Sequence, residues 1–237
     1  MGDSVKNIEC GDLVDVELES GTILHSHAVL VSSGRSGQTG SIGLDKIGVT
    51  TNSRGHILVN DAFQTSNPNI YAAGDVIGNP ALASTAMAQG RVAVYHAFNL
   101  KQSPHFPSLL PSGLYTIPEC SSVGRTEDQL HEAGIPFFVG KASYSKNARG
   151  QIIGDTEGFL KLLFHQENKK LLGVHVIGEG ATEIVHIGLT VMVMGGGVDV
   201  FIDTCYNYPT ISEVYKYAAY DALAKFDKLD LSQQDKS

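Results

Sequence analysis

Residues 205–213 read CYNYPTISE, a turn on Tyr208-Pro209-Thr210 followed by the carboxylate of Glu213, ahead of a helical stretch. A carboxylate at such a turn suits the orientation of a proton-carrying side chain, yet the place for one is held by Tyr208. Tyrosine as a residue type titrates near ~10 and is a poor acid or base at neutral pH, where histidine, near ~6.5, is well matched. A second candidate is Gly74-Asp75, which interrupts an apolar run and puts a carboxylate at the carboxyl end of a short strand. Ligands of open α/β sheets bind at such ends, although a turn aspartate after glycine accounts for the spacing equally well. Next, Ala81-Leu82-Ala83-Ser84 opens a helix with mostly small side chains. These leave the amide N–H groups and the positive end of the dipole approachable by an anionic ligand group; close helix-to-sheet packing is the competing account.

The other reactive residue types do not assemble into a site. Cys10, Cys120 and Cys205 lie far apart, with no CxxC, no zinc spacing and no even-numbered disulfide framework. Each reads as a reduced, partly buried thiol, and Cys205 lacks the partner a nucleophile needs. His25 and His27 share a strand face without a third ligand, and Glu183 and His186 share a helix face without a second pair. A surface ion pair suits the latter better than a metal. The formal charge of -8 argues against sequence-independent nucleic-acid binding and anionic membrane surfaces, both of which need a surplus of Lys and Arg, and no run of basic residues marks a local patch. No run approaches the ~20 apolar residues that span a bilayer, and the amino terminus MGDSVKNIEC has neither a signal-peptide core nor a myristoylation pattern. A cytoplasmic location is the expectation.

The elements that must position these residues follow from periodicity. Leu13 to Glu19 alternates strictly, as a half-exposed antiparallel strand does, and turns at Ser20-Gly21. Ala28-Val29-Leu30-Val31 is unalternating, as in a strand covered on both faces. Ile57-Leu58-Val59 and Ile70-Tyr71-Ala72-Ala73 read as short strands, and Ala81 to Phe98 as a helix capped by Asn79 with Pro80 at its first position. Three prolines between Leu100 and Gly113 mark a domain boundary. Thereafter Thr126-Glu127-Asp128-Gln129 is a capping box for a short helix ending at Gly134. Strands are expected at Phe137–Tyr144, Gln151–Ile153, Phe159–Phe164 and Leu171–Ile177, which tight turns would join into an antiparallel sheet. Helices at Ala181–Met194 and Ile211–Phe226 follow, then a polar tail, 227–237, expected to be disordered.

SNPNIYAAGDV, YTIPECSSVGRTEDQL and YPTISE, in this order, resemble the C-terminal half of the pyridine nucleotide-disulfide oxidoreductase superfamily over nearly all of residues 11–226. The resemblance implies α/β plus α+β architecture: a remnant of doubly wound NAD(P) and FAD domains, then an α+β dimerisation domain with an antiparallel sheet. It places the end of a nicotinamide-nucleotide domain at 1–37, the C-terminal part of an FAD domain at 38–107 and the dimerisation domain at 108–226. It further implies that Asp75 accepts a hydrogen bond from the FAD ribityl chain, with Gly74 permitting close approach. The amides of Leu82, Ala83 and Ser84 would face the flavin pyrimidine edge, and Arg35, in Gly34-Arg35, would lie near the dinucleotide. For Arg35, an ion pair with a surface acid is an equally good account.

Tyr208 and Glu213 occupy the positions of the family's acid/base pair, in which disulfide reductases carry a histidine supplied across a homodimer. With tyrosine there, the resemblance is to members that pass hydride between NADPH and NAD+, a reaction that moves no thiol proton and uses FAD, NAD and NADP as cofactors. A disulfide reductase of the dihydrolipoamide dehydrogenase type with an altered acid/base, and a non-catalytic dimerisation module, are the alternatives. No GxGxxG follows a strand and no CxxxxC is present. The chain thus looks like the C-terminal portion of an enzyme whose N-terminal FAD and NAD domains are missing from it, and is expected to be inactive alone. Tyr206, Tyr215, Tyr217 and Tyr220 suit an aromatic stripe at the dimer contact.

Overall fold

A computed structural model describes residues 2–101 and 105–234, with side chains as far as Phe226. The chain divides into two compact units, Met1–His105 and Phe106–Ser237.

The first unit begins with an antiparallel meander, β1 (Val5–Cys10), β2 (Val14–Leu18) and β3 (Ile23–Ser26). The alternation in β2 puts Val16 inward between Ile8 and Leu24, and the connection to β3 turns at Gly21, whose φ is 83°. Polar Lys6, Asn7 and Glu9 hide β1 from a periodicity reading. Ala28–Val31 forms no strand; Leu30 is 92% exposed. A β-branched run becomes a strand by pairing and being covered, and none of the described strands pairs with it. Ile57–Val59 and Ile70–Ala73 likewise shrink to the single bridges Thr51↔Ile57 and Gln64↔Tyr71. Asparagine side chains compete with the ladder there: Asn52 Oδ1 accepts from the Arg54 and His56 N–H groups, and Asn60 Oδ1 from those of Ala62 and Gln64. The core of this unit is Val49, Ile57 and Ala72, with Leu44, Val59, Ile70, Val76 and Ile77 around them.

α1 (Ala83–Ala97) starts later than the sequence suggests. Leu82, extended at φ -127° and ψ 142°, takes the cap position without a side-chain bond, so Asn79 does not cap. The Thr85 hydroxyl reaches back to the carbonyls of Pro80 and Leu82 and holds the entry instead.

The second unit is a five-stranded antiparallel sheet, β4 (Ser112–Leu114), β5 (Cys120–Gly124), β6 (Phe137–Ser143), β7 (Phe159–His165) and β8 (Leu171–Ile177), in the order β4-β5-β8-β7-β6. Between β5 and β6, α2 (Glu127–Glu132) carries the expected capping box: Gln129 N–H donates to Thr126 Oγ1 at 3.2 Å and Thr126 N–H to Gln129 Oε1 at 3.0 Å. Gln151–Ile153 is not a strand but the end of α3 (Ala148–Ile153). Asn147 caps it and Gly154, at φ 78°, ends it, and these flanking signals outweigh a short apolar run.

α4 (Ala181–Val193), α5 (Val198–Asp203) and α6 (Val214–Gln234) complete the unit. One core joins Leu160, Leu162 and Phe164 of β7, Val174 and Val176 of β8, Val185 of α4, Phe201 of α5 and Tyr215 of α6. Gly140 lets α6 lie directly on β6, because a Cβ there would meet the Ala218 carbonyl and the Ala222 methyl. The helix runs to Gln234, through residues expected to be a disordered tail; Lys228 to Gln234 contains neither Gly nor Pro, so nothing stops it. Residues 235–237 of that tail lie outside the described residues. Both units are mixed α/β, and every strand pairing described is antiparallel.

Candidate functional site

In the first unit Asp75 opens a short 3-10 turn, Asp75–Ile77, entered through Gly74 at φ 82° and ψ -158°. That region of backbone space is open essentially to glycine. The turn is held from two sides. Ile57 N–H donates to the Val76 carbonyl at 2.9 Å, and Gly74 N–H donates to Gln89 Oε1, buried on α1, at 2.7 Å. A Cβ on Gly74 would sit 3.4 Å from the Ala86 methyl, so the turn packs against α1.

The Asp75 carboxylate stays half exposed and meets Arg35 Nη1 at 3.4 Å. With the Arg35 side chain 82% exposed, solvent screens this pair, which is worth about 0–1 kcal/mol and yields readily to a ligand. Both residues line a groove of about 620 Å³ together with Gly34, Asn52, His56 and Asn79. At the start of α1, Ala83 and Ser84 are exposed and Leu82 half-buried, with no side-chain cap and no acid in the first turn. The first amides of a helix lack intrahelical partners, so here they remain available to an acceptor from outside.

In the second unit Tyr208 is 74% exposed at the head of its turn. Glu213 Oε2 accepts from the Thr210 N–H at 3.4 Å, so the carboxylate caps the Ile211–Glu213 turn and holds the backbone. Thr210 Oγ1 donates to the Asn207 carbonyl at 2.7 Å, and the Thr210 carbonyl accepts from Asn147 Nδ2 at 3.0 Å. Asn147 is buried, and its Oδ1 also takes the Gly150 N–H, tying the turn to the start of α3.

Of the tyrosines expected at an interface, Tyr215 is instead a core residue, its hydroxyl bonded to Ile184 and Gly188 of α4. Tyr206 packs against the same core, and burial pushes its phenol up to about 12. Tyr217 and Tyr220 are about half exposed. His186 Nδ1 pairs with the Glu183 carbonyl rather than the carboxylate. Cys10 and Cys205 are exposed, not partly buried. Among the described residues no group of His, Cys, Asp and Glu could hold a metal ion, and no helix is long and apolar enough to cross a membrane.

Gln89 and Asn147 escaped the sequence reading. Gln89 carried a usable signal, since it shares the buried helix face of Thr85, Val92 and Ala93, where a large polar residue needs a partner. Asn147 stands where an N-cap belongs, but its second bond spans 63 positions and leaves no local trace.

Both halves of the chain match one family. Residues 110–219 match the pyridine nucleotide-disulphide oxidoreductase dimerisation domain, and residues 1–90 match the pyridine nucleotide-disulphide oxidoreductase domain. The chain belongs to the pyridine nucleotide-disulphide oxidoreductases.

Within that family it is similar to soluble pyridine nucleotide transhydrogenases. It is 48% identical to that of Mycobacterium bovis, over 97% of this chain and 49% of the relative, and 46% identical to that of Enterobacter sp., over 90% and 47%. It thus spans about half the length of the curated relatives it matches. Among solved structures it resembles the HOCl-induced flavoprotein disulfide reductase RclA from Escherichia coli as its Cu(II) complex, with TM-score 0.81 and 26% identity over 92% of this chain and 49% of that one. LpdA from Mycobacterium tuberculosis gives TM-score 0.77 and 25% identity over 92% and 48%.

The family implies FAD and NAD(P), and the first unit's geometry fits a flavin. Asp75 offers a solvent-facing acceptor for a sugar-alcohol hydroxyl, and Gly74 keeps side-chain bulk off the approach. The uncapped start of α1 presents N–H groups and a positive dipole end, which suit the electron-rich pyrimidine edge.

Proposed function

We propose that this chain is the C-terminal portion of an FAD-dependent oxidoreductase that transfers hydride between NADPH and NAD+, a soluble (Si-specific) NAD(P)+ transhydrogenase. Residues 1–37 close its nicotinamide-nucleotide domain, 38–107 complete its FAD domain, and 108–226 form a homodimer with a second copy. The observation that carries the reading is the pairing of the Gly74-Asp75 turn and the uncapped start of α1, which suit a flavin, with a tyrosine at position 208. A cytoplasmic location and inactivity of the chain by itself go with it.

Bound FAD supplies the two-electron chemistry, so the protein's task reduces to placement and electrostatics. Asp75 holds the ribityl chain, and the amides of Leu82, Ala83 and Ser84 stabilise negative charge at the pyrimidine edge. Arg35 leaves Asp75 when the ligand arrives and remains in the groove as a counter-charge. Tyr208 and Glu213 move no proton: the exposed phenol lines the pocket across the dimer, and the carboxylate keeps the turn in shape.

The test is NADPH oxidation coupled to thio-NAD+ reduction by the longer protein, with no disulfide present. Steady thionicotinamide reduction supports the reading. Turnover only with a disulfide substrate favours the reductase alternative, for which the likeness to RclA speaks. Tyr208→His should leave exchange within about threefold of wild type and confer no disulfide turnover; a collapse of exchange would show that the phenol takes part.

A further inference from the structure

We propose that Gln89 is a positioning residue for the flavin: it locks the Gly74-Asp75 turn to α1, so that the two halves of the cradle are presented as one rigid piece. The inference rests on the cofactor reading above. Asp75 and the amides of Leu82 to Ser84 belong to different elements, and a ligand held by both gains only if their separation is already set.

Few other contacts could set it. The segment leading into the turn keeps only the bridge Gln64↔Tyr71, whose last bond, from Ala72 N–H to the Phe63 carbonyl, stops two residues short of Gly74. The Arg35–Asp75 pair is solvent-exposed and contributes little. On its far side the turn is anchored by the Ile57 N–H to Val76 carbonyl bond, which ties it to a loop and not to the helix. Toward α1, Tyr71 Oη and His96 Nδ1 lie 2.7 Å apart, but that exposed pair joins the last turn of the helix, far from its start; at the turn itself there remain the packing of Gly74 against Ala86 and the bond from Gly74 N–H to Gln89 Oε1. The packing contact limits approach but has no direction, whereas a 2.7 Å hydrogen bond to a side chain only 1% exposed fixes one geometry. Gly74 also has a backbone conformation that other residues avoid, and such conformations persist where their surroundings over-determine them. Gln89 supplies that restraint one residue before the carboxylate.

The experiment compares Gln89→Met, which keeps the length and removes the acceptor, with Gln89→Glu, which keeps an acceptor oxygen. In the longer protein, FAD affinity is read by quenching of flavin fluorescence; in the 237-residue chain, amide exchange is followed at residues 74–78. Gln89→Met should weaken FAD binding about tenfold, the loss expected for one buried hydrogen bond, and speed exchange at 74–78 while leaving β6 to β8 unchanged. Gln89→Glu should stay within about threefold of wild type on both readouts.

A Met variant that binds FAD within about twofold of wild type overturns the proposal, as does a Glu variant as weak as the Met variant, since packing alone would then explain the effect. If the Met variant fails to fold, Gln89→Glu decides: a folded Glu variant that has lost FAD refutes the strut. A wild-type longer protein that takes up no FAD overturns the cofactor reading itself, an outcome distinct from normal uptake with an indifferent Gln89.

Discussion

Replacing Tyr215 with phenylalanine isolates two hydrogen bonds in the core of the second unit. The side chain is fully buried, its ring stacked on Phe201 with centroids 5.1 Å apart and planes 20° from parallel. Its hydroxyl donates to the Ile184 carbonyl at 2.8 Å and accepts from the Gly188 N–H at 3.2 Å. Phenylalanine keeps the ring, so the packing loss is small, and two buried bonds at ~1 kcal/mol each put the cost at about 2 kcal/mol. Burial also raises the phenol's pKa above its ordinary value of 10.0. Above that pH the unfolded chain gives up a proton that the folded chain keeps, so the contribution is complete below about pH 10 and is lost as pH rises, at about 1.4 kcal/mol per pH unit. Phenylalanine has no such proton. The wild-type advantage should therefore be about 2 kcal/mol at pH 8 and shrink to about 0.6 kcal/mol at pH 11. Urea unfolding of both chains at the two pH values, followed by peptide circular dichroism, measures the gap. A gap that does not change with pH refutes the buried-phenol account, and equal midpoints at pH 8 refute the hydrogen-bond account.

Three further outcomes follow from the same geometry. Gly140→Ala should destabilise the second unit by about 1–3 kcal/mol, because the new methyl meets the Ala218 carbonyl and the Ala222 methyl; an unchanged melting temperature would show that α6 lifts off β6 freely. Asn147→Asp keeps the acceptor for the Gly150 N–H but loses the donor to the Thr210 carbonyl. Amides of 205–214 should exchange roughly five- to tenfold faster with α3 unaffected, and equal acceleration in both segments would mean general loosening. The hydrogen bond from Lys161 holds the Glu127 carboxyl below its ordinary value. Its contribution is therefore present above pH 4.5 and lost as pH falls. Glu127→Gln should cost less than about 1 kcal/mol at pH 7, as befits a partly exposed pair, and close to nothing at pH 3; a constant difference between the two unfolding experiments would contradict it.

What the sequence disclosed follows a physical division. Local signals read true: the Thr126–Gln129 capping box, the Ser20-Gly21 turn, and β7 and β8 with the polar turn between them are all present. Each depends on residues within a few positions. Errors arose where a pattern needed partners: Ala28–Val31 has the composition of a central strand and no strand beside it, and the runs before Asp75 lose their ladders to asparagine turns. For the candidate site, Asp75, Arg35 and the opening of α1 were named from sequence, and the structure gathers Arg35 and Asp75 in one groove. The bonds that the buried amides Gln89 and Asn147 make to the two turns reach backbone atoms 15 and 63 positions away, which no local pattern records; only the buried helix face of Gln89 hinted that it needed a partner.

The first unit gathers its core around only three buried aliphatic residues, Val49, Ile57 and Ala72, whereas the second closes aromatic and aliphatic side chains from sheet and helices into one continuous interior. A protease therefore meets two different substrates along a single chain. Segments with little buried apolar surface open at low free energy and are cut first; digestion should erase the amino-terminal half while the fragment from about Phe106 onward survives, and a ligand that settles in the Asp75 groove would announce itself as a delay in that first cut.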